Sequence, residues 1–159
     1  MTIAPLNPLL TRALASPIME AGSWVAAAPP PTNRPLIDLS QAVPAGAPAA
    51  PIREAIAEAA LGDPAAHLYC AVLGRDPLRA RIAGIWSDLY GGAISADQVG
   101  ITAGCNQAFC AAIASLAAPG DEVILPTPWY FNHKMWLDKS GVTAIPLPTD
   151  QGCLPDPVA

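Results

Sequence analysis

The 159-residue sequence predicts an α/β fold, and three observations carry that prediction. A short apolar run, VGIT, is followed by the turn AGCN and a helical pattern from Gln107 to Ala117; the breaker PGD then leads into a second apolar run, EVILP. Within the helical stretch Phe109, Ala112, Ile113 and Leu116 recur at i, i+3, i+4 and i+7, which puts them on one face. The connection between the two runs has the length that joins parallel strands by a right-handed crossover. A further helix over Asn132 to Lys139, stopped by Gly141, and the run VTAIPL repeat the alternation of helix and strand.

From the N-terminus, residues 1–50 are rich in Pro and Ala (APPPTNRP, AVPAGAPAAP), which excludes long helices and predicts an extended arm with one short element around PLIDLS. After Pro51 the spacing of Ile52, Ala55, Ile56 and Ala59 is helical, and Gly62-Asp63-Pro64 ends the helix. A second helix starts at Pro77, carries Leu78, Ile82, Ile85, Trp86 and Leu89 on one face and closes at Gly91-Gly92, so Trp86 reads as core. Near the last residue, Asp156-Pro157 is a helix-start signal, from which the chain is expected to stop inside a domain. The organisation therefore reads as an arm over 1–50 and an incomplete α/β domain over 51–159.

Composition narrows the function. A charged fraction of 13% and a hydrophobic fraction of 52% lie on the apolar side of an ordinary soluble domain, so some apolar surface is expected to stay uncovered. The formal net charge of −5 and the lack of any basic run argue against a nucleic-acid partner. Cys70, Cys105, Cys110 and Cys153 form no CxxC pair and have no His at zinc-ligand spacing; they read as free, half-buried thiols, with no metal site. The uncharged run from Gln98 to Gly120 is punctuated by glycines, Asn106, Gln107 and Pro119, and reads as two elements and a turn rather than a membrane span. No charged n-region precedes Leu9-Leu10 and Arg12 interrupts the apolar stretch, so a cytoplasmic location is expected.

Two stretches are candidates for chemistry. In TAGCNQA, Gly104 permits a tight turn that leaves the amides of Cys105 and Asn106 at a helix N-terminus, a setting that suits a phosphate. The turn alone fits a ligand-free connection equally well, and it lacks the residues that define dinucleotide and P-loop motifs. The second stretch is PTPWYFNHKMW, which holds four of the nine Phe, Trp and Tyr residues and leaves the C-terminal end of EVILP, the sheet edge at which α/β proteins place ligands. A planar ring bound there needs an aromatic platform and a hydrogen-bonding partner, which Tyr130 and His133 supply; a core cluster is the alternative.

The order IDLSQAVP, YCAVLGRDPLR and VGITAGCNQAFCAAIASLAAPGDEVILPTPWYFNH, from about Leu36 onward, resembles the N-terminal half of the class I/II pyridoxal-phosphate-dependent aminotransferases of fold type I. The resemblance implies that residues 51–159 begin a large cofactor-binding domain, a three-layer α/β/α unit with a mainly parallel sheet, and that residues 1–50 supply the arm and a segment of the small domain. It also implies roles. The amides of Cys105 and Asn106 hold the phosphate of pyridoxal 5'-phosphate, with the Asn106 side chain where a hydroxyl is common. Tyr130 stacks on the cofactor ring, and His133, in the pair Asn132-His133, supports the carboxylate that holds the pyridine nitrogen. Trp129 and Phe131 then default to core or pocket wall. Tyr69, in the segment Y-x4-G-x3-LR, reaches the phosphate of a neighbouring subunit, which implies a homodimer. Ala42 stands beside the substrate where many relatives carry Gly.

In that family the Schiff-base lysine, the aspartate at the pyridine nitrogen and the arginine for the substrate carboxylate belong to the C-terminal half, so no catalytic residue is assigned. The only lysines, Lys134 and Lys139, read as solvated charges on a short helix. The implied reaction is transfer of an amino group from an amino acid to a 2-oxo acid, with these 159 residues inactive by themselves. Alternatives are a carbon–sulfur lyase on the same fold and a non-catalytic truncated remnant. A nucleotide-binding module is a further alternative; it requires an acidic residue to hold a ribose, and Asp121 and Glu122 instead follow a Pro-Gly turn and read as surface.

Overall fold

The computed structural model describes residues 4–44 and 46–156. The chain divides into two compact units, one formed by the residues up to Gln41 together with those from Ala103 onward, the other by Ala42–Thr102. The helix start expected at Asp156-Pro157 lies outside the described residues beyond Asp156.

In the first unit, helices α1 (Pro8–Arg12) and α2 (Pro17–Ala27) occupy the stretch expected to be extended. Proline interrupts a helix interior but not its first turn, where its missing N–H is no loss. Pro8 follows Asn7, whose side-chain oxygen accepts from the Leu9 amide at 2.9 Å, and Pro17 follows the N-cap Ser16. PLIDLS forms no helix or strand. There Asp38 accepts from the amide and hydroxyl of Ser40 at 2.9 and 2.6 Å, a local turn that competes with regular structure.

Further along this unit come α5 (Cys105–Leu116), β1 (Glu122–Thr127), α6 (Phe131–Ser140) and β2 (Thr143–Pro148). The strands pair in parallel, Glu122 with Thr143 through Thr127 with Pro148. Alternation along β1 turns Val123, Leu125 and Thr127 to the covered face and leaves Glu122, Ile124 and Pro126 exposed. The core consists of Ile113, Leu125, Leu137 and Val142, with Phe109, Trp129 and Trp136 packed against it. Of the expected α5 face, Phe109 and Ile113 point inward, whereas Ala112 is exposed and Leu116 is 84% exposed. Helical period fixes which side chains share a face, but not how far the covering elements reach along it.

The second unit contains α3 (Ala50–Gly62), a 3-10 turn at Pro64–His67, α4 (Asp76–Tyr90) and a 3-10 turn at Ala96–Gln98. Helix α4 ends on left-handed Gly91, as expected. The run VGIT does not form a strand. Val99 has extended dihedrals and Ile101 donates to the Leu73 carbonyl at 2.9 Å, but no described strand lies beside the run to build a ladder. Gly74 is required at that crossing: its φ is +100°, and a Cβ there would meet Ile101 Cγ1 at 2.6 Å.

Arg79 is 7% exposed and ties this unit together. Its Nε donates to the Val99 carbonyl at 2.9 Å, Nη2 to the Ala96 carbonyl at 2.8 Å and Nη1 to the Asp76 carboxylate at 2.9 Å. A buried guanidinium is tolerated because its donors are matched. Trp86, expected in the core, is 50% exposed and stacks on Tyr90 with ring centroids 5.0 Å apart. Its helical face was legible; a cover for that face is missing among the described residues.

Candidate functional site

Two turns of the first unit converge. Gly104 N-caps α5 with φ +88°, so the helix starts at Cys105 and the amides of Cys105, Asn106 and Gln107 have no intrahelical carbonyl to meet. The Gln107 side chain reaches back, its Oε1 accepting from the Ala103 amide at 2.6 Å, and this fixes the turn. A Cβ on Gly104 would find nothing within 4 Å, so the space over the turn is open. Cys105 and Asn106 are both exposed.

The second turn leaves β1 through Pro128 and starts α6 at Phe131, with Tyr130 as N-cap. Tyr130 is 48% exposed, and its hydroxyl oxygen accepts from Asn132 Nδ2 at 2.7 Å. Its ring meets His133 edge-on, centroids 5.2 Å apart at 83°. On another side His133 lies almost flat against Phe109, at 3.9 Å and 14°. Burial among these rings pushes the His133 imidazole below its ordinary pKa, since desolvation penalises the charged form. Its Nε2 is buried and has no hydrogen-bond partner among the described residues.

Between α1, α5 and α6 lies a cavity of about 300 Å³ whose wall includes Leu10, Asn106, Phe109, Asn132, His133 and Trp136. The fold thus brings Asn106 and His133 to one cavity, with Tyr130 against the edge of His133. Tyr69 and Ala42 belong to the second unit; both are exposed. Phe109 and Asn132 are the contributors whose contacts were not legible: Phe109 carried only an apolar-face signal, and a side-chain bond from Asn132 to a ring two residues earlier leaves no periodic trace.

The lysines differ from the expectation of free solvated charges. Lys134 Nζ pairs with Asp138 at 2.5 Å, both side chains 22% exposed, one helical turn apart. Lys139 Nζ stands 4.3 Å from the Trp136 ring centroid, a cation–π contact. Cys110 alone of the four cysteines is half-buried; Cys70, Cys105 and Cys153 are exposed, and all four are unpaired. No group of three metal-ligating side chains occurs among the described residues, and no described helix is long and apolar enough to cross a membrane.

The sequence profile of aminotransferase class I and II matches residues 34–156. Over 82 residues the chain is 34% identical to an uncharacterised HTH-type transcriptional regulator of Escherichia coli, covering 52% of this chain and 17% of the regulator. Over 122 residues it is 31% identical to an aspartate aminotransferase of Streptomyces avermitilis, covering 75% of this chain and 29% of that enzyme. Among solved structures, an aspartate aminotransferase of Thermotoga maritima superposes with a TM-score of 0.79 at 26% identity, over 96% of this chain and 40% of that one. The chain therefore spans less than half the length of these relatives. With its parallel sheet and helices arranged as in fold type I enzymes, the chain belongs to the class I and II aminotransferase family.

Proposed function

We propose that these residues form the phosphate and ring-face side of a pyridoxal 5'-phosphate site in an enzyme that transfers an amino group from an amino acid to a 2-oxo acid. The observation that carries the reading is the convergence of the α5 N-terminus with the Tyr130–His133 turn, in a chain of this family. The residues fit the cofactor. Open space over Gly104 leaves room for an anion, Tyr130 is half-exposed, and the buried Nε2 of His133 lacks a partner among the described residues.

Once bound, pyridoxal phosphate supplies the electron sink that lets the amino acid lose its Cα proton. The protein's part is to bind and orient. Amides of Cys105 and Asn106, at the positive end of the α5 dipole, hold the phosphate, and the Asn106 side chain adds a hydrogen bond. Tyr130 covers one face of the ring and excludes water from it. Neutral His133 supports, through its ring nitrogen, a group that holds the pyridine nitrogen. Tyr69 reaches the phosphate of a second subunit, which makes the working form a homodimer, and Ala42 narrows the substrate side by one methyl relative to Gly. The lysine that anchors the cofactor is neither Lys134 nor Lys139, each already engaged by a neighbour.

Tyr130→Ala tests the platform. Loss of a stacking contact of about 0.5–1.5 kcal/mol should weaken cofactor binding by roughly twofold to tenfold, read by absorbance titration. Unchanged affinity would return the aromatic cluster to a core role.

A further inference from the structure

We infer that Phe109 is the positioning residue that fixes the plane of the His133 imidazole. The rings lie nearly parallel, 3.9 Å between centroids at 14°, closer than the roughly 4.5–7 Å usual for aromatic pairs. Histidines that serve a cofactor or metal are ordinarily oriented by a hydrogen bond from one ring nitrogen. Here Nε2 has no partner among the described residues, and the 3.0 Å bond from the His133 amide to the Tyr130 carbonyl anchors only the main chain. Among the described residues the ring is set by ring contacts, Phe109 against the face and Tyr130 edge-on, the latter held by its bond from Asn132, and these contacts leave Nε2 available to the group proposed above.

Phe109 suits this task because it is itself immobilised. It packs against the core of Ile113, Leu125, Leu137 and Val142, and it sits one helical turn after Asn106 on α5. The helix whose first amides face the open space over Gly104 therefore also sets the His133 ring. A rotation of α5 would move both together. The consequence for chemistry rests on the role proposed above for His133; the geometry does not. Other titratable groups around the ring are Tyr130 at its edge, with Cys110 of α5 and Lys139 of α6 on the same cavity wall; α1 contributes the apolar Leu10 and Ala13.

Side-chain NMR of the 159-residue chain tests this, with His67, the other histidine and an exposed one, as internal reference. In the unaltered protein the Phe109 ring current should move the His133 ring protons upfield of those of His67. Phe109→Leu should remove that displacement and raise the His133 titration midpoint towards its ordinary value, whereas Phe109→Tyr, which keeps the ring, should preserve both. Coincident His133 and His67 shifts in the unaltered protein, or a folded Phe109→Leu with unchanged shift and midpoint, would overturn the inference. If Phe109→Leu fails to fold, the unaltered and Phe109→Tyr spectra still decide. Addition of pyridoxal phosphate to the same samples separates the two claims. An upfield His133 with no cofactor response contradicts only the proposed function, and a cofactor response with an undisplaced His133 contradicts only the role of Phe109.

Discussion

Burial disfavours the charged form of His133, and this makes the residue a source of pH-dependent stability. In the unfolded chain the imidazole binds a proton more readily than in the fold, so the unfolded state gains protons first as pH falls. Stability attributable to this group is complete well above the ordinary histidine pKa of about 6.5 and declines as pH falls below it, flattening once the folded form also protonates. Denaturant midpoints measured across that range should fall on acidification, and His133→Gln should reduce the slope; an identical slope in the variant would assign the effect to other groups. At this scale the sequence exposed the identity of the titrating residue, through its place in PTPWYFNHKMW, but not its environment. Phe109 lies far from His133 in sequence, and only the packing of α5 on α6 brings the rings together.

Punctuation marked the elements well and their surroundings poorly. Helices α3, α4 and α6 end where Gly62-Asp63, Gly91 and Gly141 predict, because chain-ending chemistry is local. VGIT has the composition of a strand yet forms none, because a strand needs a neighbour and composition carries no information about one. The Pro and Ala content of residues 1–50 points to an extended arm, yet α1 and α2 form there, because Pro8 and Pro17 each stand in a first helical turn. Trp86 and Leu116 show the same limit, apolar on the right face but exposed. Leu137 is the opposite case: at 0% exposure it is the most completely enclosed side chain of the core, at the centre of the packing between α6 and the sheet. Leu137→Ala should cost about 2–5 kcal/mol through lost burial and the cavity left behind. A loss below about 1 kcal/mol in equilibrium unfolding would show that α6 does not anchor this core.

At the scale of the molecule, the apolar fraction of the sequence appears as uncovered surface: Ile52, Ile56, Ile85, Leu89 and Tyr69 in the second unit, Ile124 and Leu116 in the first, are all exposed. Parallel sheets are normally covered on both faces, and the two-stranded sheet here has the outward face of β1 open. The cofactor site proposed above includes no lysine, and the two lysines of the chain are engaged elsewhere, Lys134 by Asp138 and Lys139 by the Trp136 ring. Treatment with pyridoxal phosphate and borohydride should therefore leave no stoichiometric adduct on Lys134 or Lys139, as peptide mapping would establish.

Whether the α5 N-terminus receives the cofactor phosphate, as proposed above, is decided by titrating the chain with pyridoxal phosphate and, in parallel, with pyridoxal, which lacks that group. Charge-assisted hydrogen bonds from the Cys105 and Asn106 amides are worth about 1.5–3 kcal/mol. Pyridoxal phosphate should accordingly bind at least about tenfold more tightly than pyridoxal. Equal affinities for the two would contradict the assignment of the phosphate to this turn.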